Sequence, residues 1–116
     1  LNTGTHVGKL WTSTGTLLAS ATFTNETTYG WQRVMFVTPV AISANTTYVV
    51  SYHTSVGRYA RNLDYFATVG FDNPPLHALA SPTSGGNGVY LYGAGGFPTS
   101  TFQATNYWVD ILFVPK

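Results

Sequence analysis

The sequence contains no cysteine, which excludes a disulfide framework and any zinc site built on thiolates. Charged residues are also scarce. They make up 8% of the 116 residues, with a formal net charge of +1, so a field that attracts nucleic acid or an anionic membrane is not expected. No apolar run approaches the roughly 20 residues that a membrane-spanning helix needs. The first residues, LNTGTHVGK, lack the basic start and apolar stretch of a signal peptide.

Threonine and aromatic residues are abundant instead. Threonine outnumbers the four charged types together, hydrophobic residues reach 44%, and aromatic residues reach 16%. A chain with this composition can bury a sizeable core, which argues against intrinsic disorder. The length is typical of one small domain, so residues 1–116 are predicted to form a single domain.

The hydrophobic pattern repeats every two residues, which is typical of strands with one face in a core. The clearest case is the segment NYWVDILFV at residues 106–114. One face of this segment carries Tyr107 and three apolar residues, whereas the other face carries Trp108 and Asp110. Further strands are predicted near residues 6–11, 16–24, 31–37, 46–54 and 89–92.

Turn-forming residues separate these segments. Residues 12–15, Thr-Ser-Thr-Gly, predict a hairpin between the first two strands. Residues 69–88 are rich in proline and glycine and predict a long loop without a helix, and residues 93–98 predict a second, glycine-rich loop. Closely spaced strands of this kind favour an all-β fold, a jelly-roll-like antiparallel β-sandwich.

A series of short sequences resembles one bacterial family: GTHVGKLW, GTLLASATF, GWQRVMF, TTYVVSYHT, NPPLHALA, NGVYLYG, FPT and NYWVDILF. They occur in the order seen in domain-of-unknown-function family 4082, and the resemblance covers nearly the whole chain. It implies an extracellular jelly-roll-like β-sandwich, of the kind used as carbohydrate-binding modules in large secreted proteins. The family name records no assigned function, so the resemblance implies context more than chemistry.

The chain departs from the family at its start. The resemblance implies one or two strands before Leu1, and a sandwich without them would expose unpaired backbone groups. Either the sequence is an incomplete record of the domain, which is the simpler interpretation, or a neighbouring chain supplies the strand.

Catalysis has little support in the sequence. The carboxylates are Glu26, Asp64, Asp72 and Asp110, and no two of them are close in sequence as a glycosidase pair. No GxSxG motif occurs, and the three histidines lack the spacing of a metal site. We therefore expect a protein that is not an enzyme.

A cofactor is not expected either, apart from a structural calcium ion. Sugar-binding jelly rolls often hold one, and the resemblance extends this expectation to the chain. Asp64 or Asp72 together with loop carbonyls could supply oxygen ligands. Because the chain has four acidic residues in all, any such site would contain few carboxylates.

Sugar binding has the most support. Aromatic rings cover the apolar faces of sugars, and polar side chains bond the hydroxyl rim. The chain has eighteen aromatic rings, and several fall in loops or on faces turned from the core. The candidate ligand-binding residues are Trp108, Asp110, Tyr59, Arg58, Tyr90 and His53.

Each candidate also has a structural interpretation. Trp108 could pack under a loop with Asp110 bonding that loop's amides, and Tyr90 could belong to a second core layer. Trp11 and Trp31 flank turns and are predicted to fill the core.

Two functions from different classes follow. The first is an extracellular, non-catalytic module that binds polysaccharide and neither binds nucleic acid nor inserts into membranes. The second is a structural or assembly module of a cell-surface protein or fibre, which self-associates or accepts a strand from a neighbouring chain.

Overall fold

The computed structural model describes residues 4–56 and 58–115, and almost all of the regular structure in them is β. The elements are β1 (His6–Thr12), β2 (Leu17–Thr22), β3 (Tyr48–Thr54), β4 (Phe71–Asn73), β5 (Leu76–Ala78), α1 (Ser81–Ser84), β6 (Val89–Tyr90) and β7 (Ser100–Thr101). Every strand pairing is antiparallel, which confirms the all-β prediction. In the described ranges no helix is long and apolar enough to cross a bilayer.

The chain divides into two compact units, Leu1–Arg58 and Tyr59–Lys116. Each unit has its own strand pairings. That the whole chain behaves as a single domain stays a prediction.

The first unit contains a three-stranded sheet in the order β2-β1-β3. The hairpin between β1 and β2 turns at Gly15, whose φ of 99° is accessible to glycine at little cost. The amide of Gly15 donates to the carbonyl of Thr12 at 3.2 Å, and the amide of Thr12 donates to the carbonyl of Thr16 at 2.9 Å. The strands β1, β2 and β3 confirm the predictions near residues 6–11, 16–24 and 46–54, and these bonds confirm the predicted hairpin.

The buried residues of this sheet lie on β1. Leu10 is 4% exposed and Trp11 is 7% exposed. The burial of Trp11 confirms the prediction that this residue fills the core. The indole N–H of Trp11 donates to the Ser51 hydroxyl at 2.9 Å, which satisfies the one polar atom of this ring inside the core. His6 is also buried, and its Nδ1 lies 2.8 Å and 2.9 Å from the two carboxylate oxygens of Glu26.

The segment 31–37 differs from its prediction. Burial alternates along it as expected, but none of these residues belongs to a strand of the described ranges. The prediction that Trp31 fills the core is wrong, because Trp31 is 68% exposed. A period of two tells which residues share a face, but it names no pairing partner and does not say which face is covered.

The second unit contains two short antiparallel pairs, β4-β5 and β6-β7. The prediction that residues 69–88 form a long loop without a helix is wrong, because this range contains the β4-β5 pair and the helix α1. Pro82 stands in the first turn of α1, where a proline costs no hydrogen bond. Gly85 ends the helix at a φ of 82°, and its amide donates to the carbonyl of Ser81 at 3.0 Å.

Backbone hydrogen bonds connect residues 62–66 with residues 103–106, and the Asn62–Asn106 pair forms an isolated antiparallel bridge. Asn62 and Asn106 exchange two bonds of 2.9 Å, and the amide of Phe66 donates to the carbonyl of Ala104 at 3.0 Å. Phe66 and Thr105 are buried beside this pairing. It holds the beginning of the last segment of the chain in place.

The last segment keeps its alternation but is not a hydrogen-bonded strand. Tyr107, Val109 and the two next odd-numbered residues are half-buried, whereas Trp108 and Asp110 are exposed. The strand prediction for 106–114 is wrong, because residues 107–114 have no strand pairing in the described part of the chain, and the φ of 55° at Trp108 interrupts the extended backbone. The predicted strand 89–92 is likewise shorter, since β6 ends at Tyr90.

Candidate functional site

The candidate ligand-binding residues fall in both units. His53 and Arg58 lie in the first unit, and the other four lie in the second: Tyr59, Tyr90, Trp108 and Asp110. His53 sits in β3 opposite Val7 and is half-buried, and Arg58 is exposed. The second unit therefore holds most of the predicted site.

Four tyrosines of the second unit come together, and we call them the tyrosine cluster: Tyr59, Tyr90, Tyr92 and Tyr107. The rings of Tyr59 and Tyr107 have centroids 5.6 Å apart at 66°, and those of Tyr90 and Tyr92 are 5.7 Å apart at 70°. Tyr90 and Tyr107 are 6.2 Å apart, and the hydroxyls of Tyr59 and Tyr92 lie 3.4 Å apart. These four contacts connect the four tyrosines in a closed loop.

The tyrosine cluster is partly open to solvent. Tyr92 is 74% exposed, and the other three rings are half-buried. Edge-to-face packing of this kind favours the observed ring orientations without sealing the rings from water. The arrangement presents aromatic surface together with phenol hydroxyls, which can both donate and accept hydrogen bonds.

Two phenols of the cluster, Tyr59 and Tyr107, have raised pKa values, so they stay protonated to a higher pH than an ordinary tyrosine. The hydrogen bond with Tyr92 raises the pKa of Tyr59, and partial burial adds to this effect. Burial raises the pKa of Tyr107, although a hydrogen bond with Thr105 opposes the rise. Arg61 acts in the opposite direction on both phenols, because its positive charge favours the phenolate.

The second aromatic group is the Trp108 site, which consists of Trp108, Tyr65 and Asn62. The rings of Trp108 and Tyr65 pack edge to face at 5.4 Å, and the indole N–H of Trp108 donates to Asn62 Oδ1 at 2.6 Å. The amide of Trp108 donates to Asn106 Oδ1 at 2.7 Å. With 38% of Trp108 exposed, the ring is both anchored and accessible.

The remaining polar candidate of this unit has a local role. Asp110 is exposed, and its Oδ1 accepts the amide hydrogen of Ile111 at 2.8 Å. This bond engages one of the two carboxylate oxygens. Asp110 and Trp108 are both exposed, as the alternation predicts.

The two acids considered for calcium have different surroundings. The carboxylate of Asp72 accepts a hydrogen bond from His77 Nδ1 at 2.8 Å, and Asp64 occupies a left-handed turn with a φ of 58°. Over residues 4–56 and 58–115 no three metal-ligating side chains gather into a group. A structural calcium ion stays a prediction.

A depression of about 410 Å³ lies beside α1 and the β4-β5 pair. Its lining includes Thr68, Val69, Asp72, Leu79 and Thr83, and none of the residues that line it is aromatic. Neither the tyrosine cluster nor the Trp108 site contributes to it.

Sequence reasoning did not identify four members of the two groups as ligand-binding: Tyr92, Tyr107, Tyr65 and Asn62. The pairing of Tyr90 and Tyr92 on one face was visible, and their ring contact agrees with it. Tyr107 was correctly placed on the more buried face, but its contact with Tyr59 joins residues 48 positions apart. No pattern in the local sequence predicts such a contact.

Comparison with protein families finds a match to Domain of unknown function (DUF4082) over residues 1–109. This confirms the resemblance noted in the sequence. Neither the curated proteins nor the solved structures give a significant match.

Proposed function

The chain belongs to the DUF4082 family, and we propose that it is a non-catalytic extracellular module that binds polysaccharide through aromatic residues of its second unit. The ligand-contacting residues in this proposal are Trp108 with Asp110, and Tyr59 and Tyr90 within the tyrosine cluster. Arg58 and His53, in the first unit, are the secondary candidates.

The observation that carries the proposal is the anchored but exposed ring of Trp108. Tryptophan is rarely fully buried, so exposure alone does not mark a binding residue, and what distinguishes Trp108 is that its exposed ring is also held in place. Trp108 is 38% exposed, although its N–H is fixed by Asn62 and its edge by Tyr65. A ring held in this way loses little conformational freedom when a sugar stacks on it.

The polar groups beside the rings suit the rim of a sugar. Asp110 offers a carboxylate oxygen as acceptor, and the phenols of the tyrosine cluster offer donors and acceptors. Because few groups would contact a hydrated ligand, we expect weak binding, with a Kd between about 1 μM and 1 mM per module. Repeated modules in one protein would strengthen binding through avidity.

The test is a glycan array followed by pull-down on insoluble polysaccharides, with Trp108→Ala as the variant. The control is Trp31→Ala, which removes a more exposed tryptophan from the first unit. Circular dichroism melting of both variants shows whether each remains folded. We expect Trp108→Ala to lose most of the retention, because the stacking surface is gone, and Trp31→Ala to bind like the wild type.

Two results contradict the proposal. One is that no glycan retains the wild-type protein at millimolar concentration. The other is that folded Trp108→Ala binds every glycan as the wild type does.

A second function, assembly of copies of this chain, has one observation in its favour. The sheet order β2-β1-β3 places β2 at an edge, and Leu17 and Leu18 on this strand are 46% and 37% exposed. Exposed edges of this kind can pair with a strand of another chain. Light scattering separates the two functions, because a concentration-dependent oligomer that Leu18→Lys dissolves favours assembly, whereas a monomer that binds glycans favours recognition.

A further inference from the structure

One pair of phenols in the tyrosine cluster meets at the hydroxyl groups. The hydroxyl oxygens of Tyr59 and Tyr92 lie 3.4 Å apart, although the two residues are 33 positions apart in the chain. The other contacts of the cluster join ring to ring, with centroids 5.6 Å, 5.7 Å and 6.2 Å apart. Tyr59 and Tyr92 are therefore distinguished within the cluster by the approach of their oxygen atoms.

This approach matters for the ring carbons as well as for the oxygens. Each ortho carbon of a phenol is bonded to the carbon that carries the hydroxyl. Small rotations of the two side chains therefore bring an ortho carbon of Tyr59 against an ortho carbon of Tyr92. A bond between two such carbons is the bond of dityrosine, in which the two hydroxyls lie side by side, as they do here.

The pair is also accessible to an oxidant. Tyr92 is 74% exposed, whereas Tyr59 is half-buried and is reached through its hydrogen bond with Tyr92. Thiols, which would be oxidised in preference to phenols, are absent from the sequence, and its one methionine, Met35, lies in the first unit. A phenol radical formed in the second unit therefore meets another phenol before it meets a sulfur atom.

We propose that Tyr59 and Tyr92 are a modification site, at which hydrogen peroxide and a haem peroxidase form a covalent dityrosine cross-link within one chain. The cross-link needs no bound sugar, so it goes beyond the proposed function and stands or falls separately from it.

The coupling balances in atoms and electrons. The oxidant removes one electron and the O–H proton from each phenol, which leaves two phenoxyl radicals whose unpaired electrons are shared with the ortho carbons. The two ortho carbons then form one C–C bond, and the hydrogen on each of these carbons moves as a proton to the neighbouring oxygen, which restores both hydroxyls. Hydrogen peroxide accepts the two electrons and two protons and becomes two water molecules.

Because both phenols are held on one chain, coupling within the chain should be faster than coupling between chains. The link would join segments 33 positions apart and restrict the unfolded chain, as a disulfide does. A cross-linked monomer should therefore unfold at a higher urea concentration than the chain before oxidation.

The experiment oxidises the chain with hydrogen peroxide and horseradish peroxidase at low micromolar concentration, well below the millimolar effective concentration of groups on one chain. Dityrosine fluorescence and gel electrophoresis show whether the product is a cross-linked monomer or a dimer. Trypsin cleavage after Arg58 and Arg61 releases Tyr59 in the peptide 59–61, whereas Tyr92 lies in the peptide 62–116. Mass spectrometry therefore identifies a link between the two peptides, which lose two hydrogen atoms, and fragmentation locates the second tyrosine.

Three variants remove one hydroxyl each and keep the ring. Tyr92→Phe removes the partner of Tyr59, and Tyr90→Phe removes a phenol of the same cluster that contacts its neighbours through its ring. Tyr29→Phe removes the hydroxyl of a tyrosine in the first unit that is 88% exposed, more than Tyr92. Circular dichroism melting shows whether each variant remains folded.

We expect a cross-linked monomer in which Tyr59 is joined to Tyr92. Tyr92→Phe should abolish the link between the two peptides, whereas Tyr90→Phe and Tyr29→Phe should retain it. Three results overturn the inference: dimers joined through Tyr29 as the main product, a link at Tyr59 that persists in folded Tyr92→Phe, or a cross-linked monomer that is no more stable in urea than the chain before oxidation. None of these results bears on polysaccharide binding, which the glycan array tests by itself.

Discussion

Asn62 accepts the indole N–H of Trp108 at 2.6 Å, although the two residues are 46 positions apart in the chain. The two-bond pairing of Asn62 with Asn106 brings them together, because it aligns the 62–66 and 103–106 segments. Asn106 in turn accepts the amide of Trp108 with its side chain. Two hydrogen bonds therefore hold Trp108 in place: its backbone amide donates to Asn106, and its indole N–H donates to Asn62.

Replacing Asn62 by alanine should free the Trp108 ring and weaken polysaccharide binding about fivefold, because immobilising a side chain on binding costs about 0.5–1.5 kcal/mol. The ¹⁵N relaxation of the Trp108 indole measures the mobility, and affinity electrophoresis measures the binding. The Trp11 indole, which donates to Ser51 instead, is the internal control. Unchanged indole dynamics in Asn62→Ala would refute the anchoring role.

Replacing Tyr92 by phenylalanine should lower the pKa of Tyr59 toward its ordinary value of about 10, because the hydrogen bond with Tyr92 is the largest cause of the rise. The measurement is an NMR pH titration of tyrosines labelled at Cζ. Tyr48→Phe is the control, since the Tyr48 hydroxyl accepts the amide of Ser43 in the first unit.

The sign of the effect on stability follows from linkage. A raised pKa means that the folded chain holds the phenol proton more tightly, so the contribution is complete below pH of about 10 and is lost as pH rises through the folded value. Wild type should therefore lose stability more steeply than Tyr92→Phe in alkaline solution. A steeper loss in the variant would contradict the assignment.

Replacing Gly88 by alanine should destabilise the chain more than the same change at Gly85. Both residues have similar positive φ values, 78° and 82°, so the backbone strain is matched. A Cβ on Gly88 would collide with the backbone carbonyl of the buried Thr105, whereas a Cβ on Gly85 meets nothing within 4 Å. We expect about 1 kcal/mol for Gly85→Ala and at least twice that for Gly88→Ala in urea unfolding. Equal losses would show that the close approach does not matter.

Removal of Glu26 should destabilise the first unit far more than removal of Asp72 destabilises the second. Each acid lies 2.8 Å from a histidine Nδ1, but the His6 side chain is 9% exposed and the His77 side chain is 53% exposed. Glu26→Ala leaves a buried ring nitrogen unpaired, which costs about 1–3 kcal/mol. Asp72→Ala should cost at most about 1 kcal/mol, because water replaces the lost partner. Urea unfolding of the two variants makes the comparison, and similar losses would contradict it.

Local sequence was sufficient for several features. Alternation at a period of two predicts the all-β class, strands β1, β2 and β3, and the hairpin between the first two. It also predicts which side chains of residues 107–110 are covered, because the direction of a side chain depends on position in the backbone and not on a partner. Gly15 likewise marks the hairpin turn from local sequence alone, because its positive φ depends on the residue type and not on a distant partner.

Only the tertiary structure decided the rest. Trp11 and Trp31 both flank turns, yet one is buried and the other is 68% exposed, because burial depends on what packs against a face. The helix at Ser81–Ser84 forms where proline and glycine suit its two ends. The tyrosine cluster and the Trp108 site depend on contacts between segments 17 to 48 residues apart, such as Tyr90 with Tyr107 and Tyr59 with Tyr107. The sequence by itself determined the kind of surface that this chain can build, an aromatic one with little charge, whereas the packing of distant segments determined which rings meet, because contact energy depends on proximity in space and not on order in the chain.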